Sequence, residues 1–104
     1  MKKEKVVLIT GCTKGIGFSI AKLLLEKKFY VIGCARSNKT ELGEEFKSLL
    51  QQYMNLTYLQ CDATNDEDVR NVFLYIQQKY GYIDALVNNV GGSEKHSLIS
   101  MSID

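Results

Sequence analysis

Three glycines open the chemistry of this chain. Residues 10–17 read Thr10-Gly11-Cys12-Thr13-Lys14-Gly15-Ile16-Gly17, directly after the apolar run Lys5 to Thr10 and before a helical pattern. In that context each glycine has a job. Gly11 permits a tight turn, Gly15 lets the backbone approach a pyrophosphate with no Cβ in the way, and Gly17 lets a helix pack close to a strand. The helix start then offers free N–H groups and a favourable dipole to phosphate. The alternative is a glycine turn that binds nothing. The loop lacks the Gly-Lys-Ser/Thr ending of a nucleoside-triphosphate hydrolase.

A second feature lies past the second apolar run, where the sequence is Gly33-Cys34-Ala35-Arg36-Ser37. A site preferring NAD places Asp or Glu there, to bind the ribose 2′-hydroxyl. No acid is present. The planar fork of Arg36 can pair with a 2′-phosphate instead, and Lys14 in the glycine loop adds a second positive charge. The expected cofactor is therefore NADP(H) ahead of NAD(H). The alternative for Arg36 is a solvated loop residue beside Ser37, Asn38 and Lys39.

These residues need a scaffold, and the hydrophobic periodicity supplies one. Lys5 to Thr10, Tyr30 to Cys34, Leu56 to Gln60 and Ile83 to Val87 read as strands. Ile16, Ile20, Leu23 and Leu24 form the apolar stripe of a first helix. Leu42, Phe46, Leu49, Leu50 and Tyr53 mark a second, and Val69, Val72, Phe73 and Ile76 a third. Thr64-Asn65-Asp66-Glu67 has the spacing of a capping box, and Gly81 is a natural stop. Ser97 to Asp104 looks like the opening of another helix. The alternation predicts one Rossmann-like α/β domain, parallel strands with right-handed crossovers and helices on both faces, whose ligands sit at the carboxyl ends of the strands.

Composition narrows the classes. The chain has 104 residues, 45% hydrophobic and 24% charged, with 13 basic and 12 acidic residues and a formal charge of +1. That suits one packed domain and argues against nucleic-acid or membrane-surface binding. The apolar run behind the basic start Met1 to Lys5 is too short for a signal peptide, and none approaches the ~20 residues of a membrane span. A cytoplasmic protein is expected. Cys12, Cys34 and Cys61 have no Cys-x-x-Cys spacing and read as reduced side chains near strand ends. His96 is the lone histidine, so no metal site is expected.

Three motifs in order carry a resemblance. Thr-Gly-x-x-x-Gly-Ile-Gly at residues 10–17, Asp62-Ala63-Thr64 after the third strand and Asn88-Asn89-Val90-Gly91 after the fourth resemble the short-chain dehydrogenase/reductase family, across essentially the whole chain. The closest likeness is to carrier-protein ketoacyl reductases and tropinone-reductase-like members. The resemblance implies a strand order of 3-2-1-4 and hydride transfer between a nicotinamide and a carbonyl or alcohol carbon. It implies that Gly11, Cys12, Thr13, Lys14, Gly15, Ile16 and Gly17 cradle the pyrophosphate and adenosine ribose. Asp62 would accept a hydrogen bond from the adenine amino group, with the Ala63 backbone beside the ring. Asn89 and the backbone at Val90 and Gly91 would line the cofactor near the adenosine ribose. Val90 stands where the family usually has Ala. A tie between neighbouring strands is the structural reading of Asn88-Asn89, and both roles are compatible.

The family's catalytic Ser and Tyr-x-x-x-Lys follow well after the Asn-Asn motif, and this chain continues from Gly91 only to Asp104. Tyr75-Ile76-Gln77-Gln78-Lys79 matches that spacing but precedes Asn88 and sits beside the stripe of the third helix, as an ordinary i,i+4 pair. Ser93, Ser97, Ser100 and Ser102 come too early. No catalytic residue is assigned. The chain by itself is expected to be silent, the amino-terminal cofactor-binding part with the missing segments on the carboxyl side. Rival readings are a sensor or interaction module and a non-functional fragment whose uncovered fourth strand invites aggregation. A further reading is complementation by a separately encoded carboxyl-terminal half, or self-association.

Overall fold

A computed structural model of the chain describes residues 4–89 and the backbone of residues 99–100. The elements are β1 (Val6–Thr10), α1 (Gly15–Glu26), β2 (Tyr30–Ala35), a 3-10 turn (Lys39–Glu41), α2 (Glu44–Gln52), β3 (Leu56–Gln60), α3 (Asp66–Lys79), β4 (Ala85–Asn88) and β5 (Ile99–Ser100). The sheet order is β3-β2-β1-β4-β5. The first four strands are parallel, with Val7 opposite both Val31 and Ala85, and Val31 opposite Leu56. This is the expected Rossmann-like α/β order of 3-2-1-4.

The continuous apolar run of β1 is explained by burial on two faces. Val7 and Ile9 point into one core with Ala21, Leu25, Phe46 and Leu49 of α1 and α2. Val6 and Leu8 point into the other, with Ile32, Cys34, Val72 and Ile76, beneath α3. Strand side chains alternate between faces, so a strand sandwiched by helices needs apolar residues at every position.

Four expectations are corrected. First, α1 buries Gly17, Ala21 and Leu25, while Ile16 and Leu23 are exposed. Small residues let α1 lie close: a Cβ on Gly17 would stand 2.1 Å from the Gly11 carbonyl oxygen. A stripe read from large side chains misses such a face. Second, α3 is capped by Asn65, whose side chain accepts from the Asp68 N–H at 2.9 Å. Thr64 instead donates its hydroxyl and amide to Asp62 Oδ1. On the same helix Phe73 is 39% exposed, whereas Val72 and Ile76 are buried. Third, the fourth strand begins at Ala85, because the Asp84 carboxylate takes the Val6 N–H at 2.7 Å while the Asp84 N–H donates to the Val6 carbonyl. Fourth, within the segment expected to start a helix, Ile99–Ser100 is a strand antiparallel to β4, opposite Val87 and Leu86. It covers part of the edge that β4 was expected to leave open.

Gly81 ends α3 as expected, at φ +81 with its N–H on the Ile76 carbonyl. No helix among the described residues is long and apolar enough to cross a membrane.

Candidate functional site: a cleft at the carboxyl ends of the strands

The parallel strands end on one rim, and a cleft of about 590 Å³ opens there. That is within the usual range for small-molecule sites. It brings together Gly11, Thr13 and Lys14 from the β1–α1 loop, Arg36 from the end of β2, Asp62 and Ala63 from the end of β3, and Asn89 from the end of β4. The remaining glycine-loop residues lie differently. Gly15 and Ile16 are exposed at the start of α1, next to Lys14 and outside the cleft wall. Gly17 is buried under the loop. Cys12 is fully buried in the core, its sulfur filling the space beside Gly33, where a Cβ would come within 2.6 Å. The expectation that Cys12 helps cradle a ligand is corrected to that extent: its side chain faces away from the cleft. Val90 and Gly91 lie outside the described residues.

The glycine loop is shaped by backbone alone. Gly11 (φ +63) and Gly15 (φ +62) adopt left-handed conformations that suit glycine. A Cβ on Gly11 would meet the Asn89 carbonyl oxygen at 2.5 Å. The Gly11 N–H donates to the Cys34 carbonyl at 2.9 Å, so the loop's first N–H is spent on β2. The N–H groups at the start of α1 are not capped. Lys14 is the N-cap residue, its side chain makes no cap bond, and the first turn carries no acid. The other described helices differ, with acids in the first turn of α2 and an asparagine cap plus acids on α3. An uncapped, acid-free helix start beside a lysine is where an anion is stabilised. The cradle therefore fits a pyrophosphate.

Across the cleft, three hydrogen bonds shape the Arg36 loop. The Tyr58 hydroxyl donates to the Ala35 carbonyl at 3.0 Å and lies within bonding distance of the Ser37 carbonyl. Gln60 Nε2 donates to the Arg36 carbonyl at 3.0 Å. The Arg36 side chain is exposed, and no carboxylate follows β2 before the 3-10 turn. At the end of β3, the Thr64 hydroxyl and amide donate to Asp62 Oδ1 and hold that carboxyl below its ordinary range, with a smaller pull from Arg36. The Asp68 carboxylate accepts the Asp62 N–H at 2.9 Å and fixes the turn.

Thr10 ties β1 to β4. Its hydroxyl donates to Asn88 Oδ1 at 2.8 Å and accepts from the Asn89 N–H at 2.9 Å, and Asn89 Nδ2 reaches the Gly11 carbonyl at 3.4 Å. Asn88-Asn89 thus joins neighbouring strands and sets one wall of the cleft.

Sequence reasoning missed Thr10, Cys34, Cys61 and Thr64 as cleft residues and Tyr58 as a loop support. All three cysteines are free thiols. Burial pushes Cys12 up to about 12 and also raises Cys34 and Cys61. Cys34 and Cys61 form an inert, weakly polar floor to the cleft. Tyr75 and Lys79 lie on α3 outside the cleft wall, the Lys79 ammonium 5.9 Å from the Tyr75 ring centre.

Comparison with known proteins fits this geometry. A family model described as short chain dehydrogenase matches residues 5–104. The chain therefore belongs to the short-chain dehydrogenase/reductase family of oxidoreductases. Human dehydrogenase/reductase SDR family member 11 is 33% identical over 102 residues, covering 96% of this chain and 39% of that protein. A short-chain dehydrogenase structure from Streptomyces avermitilis superposes with a TM-score of 0.75 at 32% identity, over 86% of this chain and 31% of the other. The structure of ElxO with NADP bound gives 0.74 at 36% identity, over 85% and 35%. The chain thus spans well under half the length of the relatives it matches. They do not single out a ketoacyl- or tropinone-reductase-like subtype.

Proposed function

We propose that the cleft holds the adenosine and phosphates of NADP(H), and that the chain is the cofactor-binding part of an oxidoreductase acting on a carbonyl or alcohol carbon. One observation carries the choice of cofactor. Two exposed cations, Lys14 and Arg36, flank the cleft where β2 ends, with no carboxylate following that strand. A 2′-phosphate would be met by a guanidinium fork and an ammonium, whereas a bare 2′-hydroxyl finds no acceptor carboxylate there. The relative with NADP bound supports the same reading.

On this reading the start of α1, with Thr13 and the backbone at Gly15, Ile16 and Gly17, stabilises the pyrophosphate. Cys12 contributes only its place in the loop. Asp62 Oδ2 is the oxygen left for the adenine amino group once Thr64 has taken Oδ1, and Ala63 flanks the ring. Asn89, with Val90 and Gly91, borders the adenosine ribose. The bound nicotinamide would supply the hydride. Among the described residues no tyrosine lines the cleft, and on this reading the chain by itself binds cofactor without turning it over.

Fluorescence titration of the purified protein with NADPH and NADH tests this, with Arg36→Ala alongside. The expected result is tighter NADPH binding that weakens on the order of tenfold in Arg36→Ala, the cost of a charge-assisted pair, with NADH affinity little changed. Equal affinities, or no binding by folded protein, would overturn the proposal.

A further inference from the structure

Behind the Arg36 loop stands a tyrosine to which the cofactor site gives no role. Tyr58 lies on β3 and its ring is buried in the core, edge-on to Phe46 with centroids 5.6 Å apart. It does not line the cleft. Its hydroxyl is shared between the carbonyls of Ala35 and Ser37, the residues on either side of Arg36. The Arg36 carbonyl is taken by Gln60, two residues further along β3, and the Ala35 carbonyl also accepts the Cys61 N–H at 2.8 Å. Three successive carbonyls of the loop are therefore pinned from one neighbouring strand.

The direction of a Cα–Cβ bond is set by the two peptide planes that flank it. Here both planes around Arg36 are fixed, one through the Ala35 carbonyl and one through its own. The side chain then has only its rotamers to search, which lowers the ordering cost of engaging an anion. Burial raises Tyr58 to about 12, so the hydroxyl stays protonated, and able to donate, through the neutral range.

We infer that Tyr58 is a positioning residue for cofactor choice: through its hydroxyl it aims Arg36 at the 2′-phosphate without touching the cofactor. The inference rests on the NADP(H) reading above and adds to it which residue outside the cleft sets the preference.

Tyr58→Phe tests it, because the ring and its packing remain and only the hydroxyl goes. Gln60→Ala is the companion variant, since Gln60 is exposed and its loss leaves the core intact. Both are titrated with NADPH and NADH, and the readout is the ratio of the two affinities. Tyr58→Phe should weaken NADPH about fivefold, the worth of one neutral hydrogen bond, with NADH nearly unchanged. Gln60→Ala should shift the ratio the same way, by less. Tryptic cleavage after Arg36 in the cofactor-free protein should quicken in both variants as the loop loosens. If NADPH and NADH weaken together in Tyr58→Phe, or neither moves, while Arg36→Ala still discriminates, the positioning role is overturned and the NADP(H) reading stands. If Arg36→Ala itself fails to discriminate, both fall.

Discussion

Gly17 and Gly15 are two positions apart and do different work. A methyl on Gly17 would collide with the Gly11 carbonyl oxygen and with Asn89 Nδ2, both held by the strand-end network. A methyl on Gly15 meets nothing within 4 Å and costs only the strain of its positive φ. Gly17→Ala should therefore destabilise the fold by about 2–3 kcal/mol and Gly15→Ala by about 1 kcal/mol, read from urea denaturation. The close packing at Gly17 was legible in the sequence, because such a glycine's work is done by the backbone and its spacing reports it. Cys12 shows the limit. It stands in the same loop, yet its side chain turns into the core, and spacing does not say which way a residue in a turn points. Tyr58 was hidden for another reason. Its effect is one hydroxyl bonding to carbonyls on an adjacent strand, and nothing in the local pattern of β3 marks that.

Among the elements, the end of α1 departs most from the usual signals. The Phe29 N–H donates to the Leu24 carbonyl and the Lys28 N–H to the Leu25 carbonyl, both at 3.0 Å, while Lys28 sits at φ +71. This is a Schellman closure, and Leu24 and Phe29 pack on the same core, as that motif favours. Its left-handed residue is a lysine where glycine is the norm. Lys28→Gly should stabilise the protein by about 0.5–1 kcal/mol, seen as a higher urea midpoint with unchanged slope. The sequence offered no glycine or proline at this end, so the helix stop could be inferred only from the apolar run of β2. The start of α3 was legible to within one residue. Thr64 and Asn65 are both good caps, and the choice fell to Asn65 because Asp62 had already claimed Thr64. The pair Ile99–Ser100 was unreadable, since two residues carry no period and their strand character comes from the edge of β4.

For the whole molecule, the parallel sheet with helices on both faces followed from the alternation of elements and the handedness of crossovers, which are global rules and survive local errors, whereas the order 3-2-1-4 was implied only by the family resemblance. Stability has a global signature too. Cys12 belongs to the core under α1 and α2, Cys34 and Cys61 to the core under α3. Below about pH 9 these thiols are neutral in both folded and unfolded chains. Above it the unfolded chain ionises while burial keeps Cys12 protonated up to about 12. Stability should therefore be level through neutral pH and fall above pH about 9, by about 1.4 kcal/mol per pH unit from Cys12 alone. Urea denaturation across that range checks the sign, and Cys12→Ala should make the decline shallower. The position of β1 has a different consequence. It is synthesised before both of its neighbours and lies at the centre of the sheet, pairing with β2 on one side and β4 on the other. Its β2 side can close early, but the Val6–Asp84 bonds and the β4 ladder wait until Asp84, 78 residues beyond Val6, and β4 after it have been synthesised. During translation the nascent chain thus carries an apolar half-sheet with one unsealed seam, the surface a chaperone would shield.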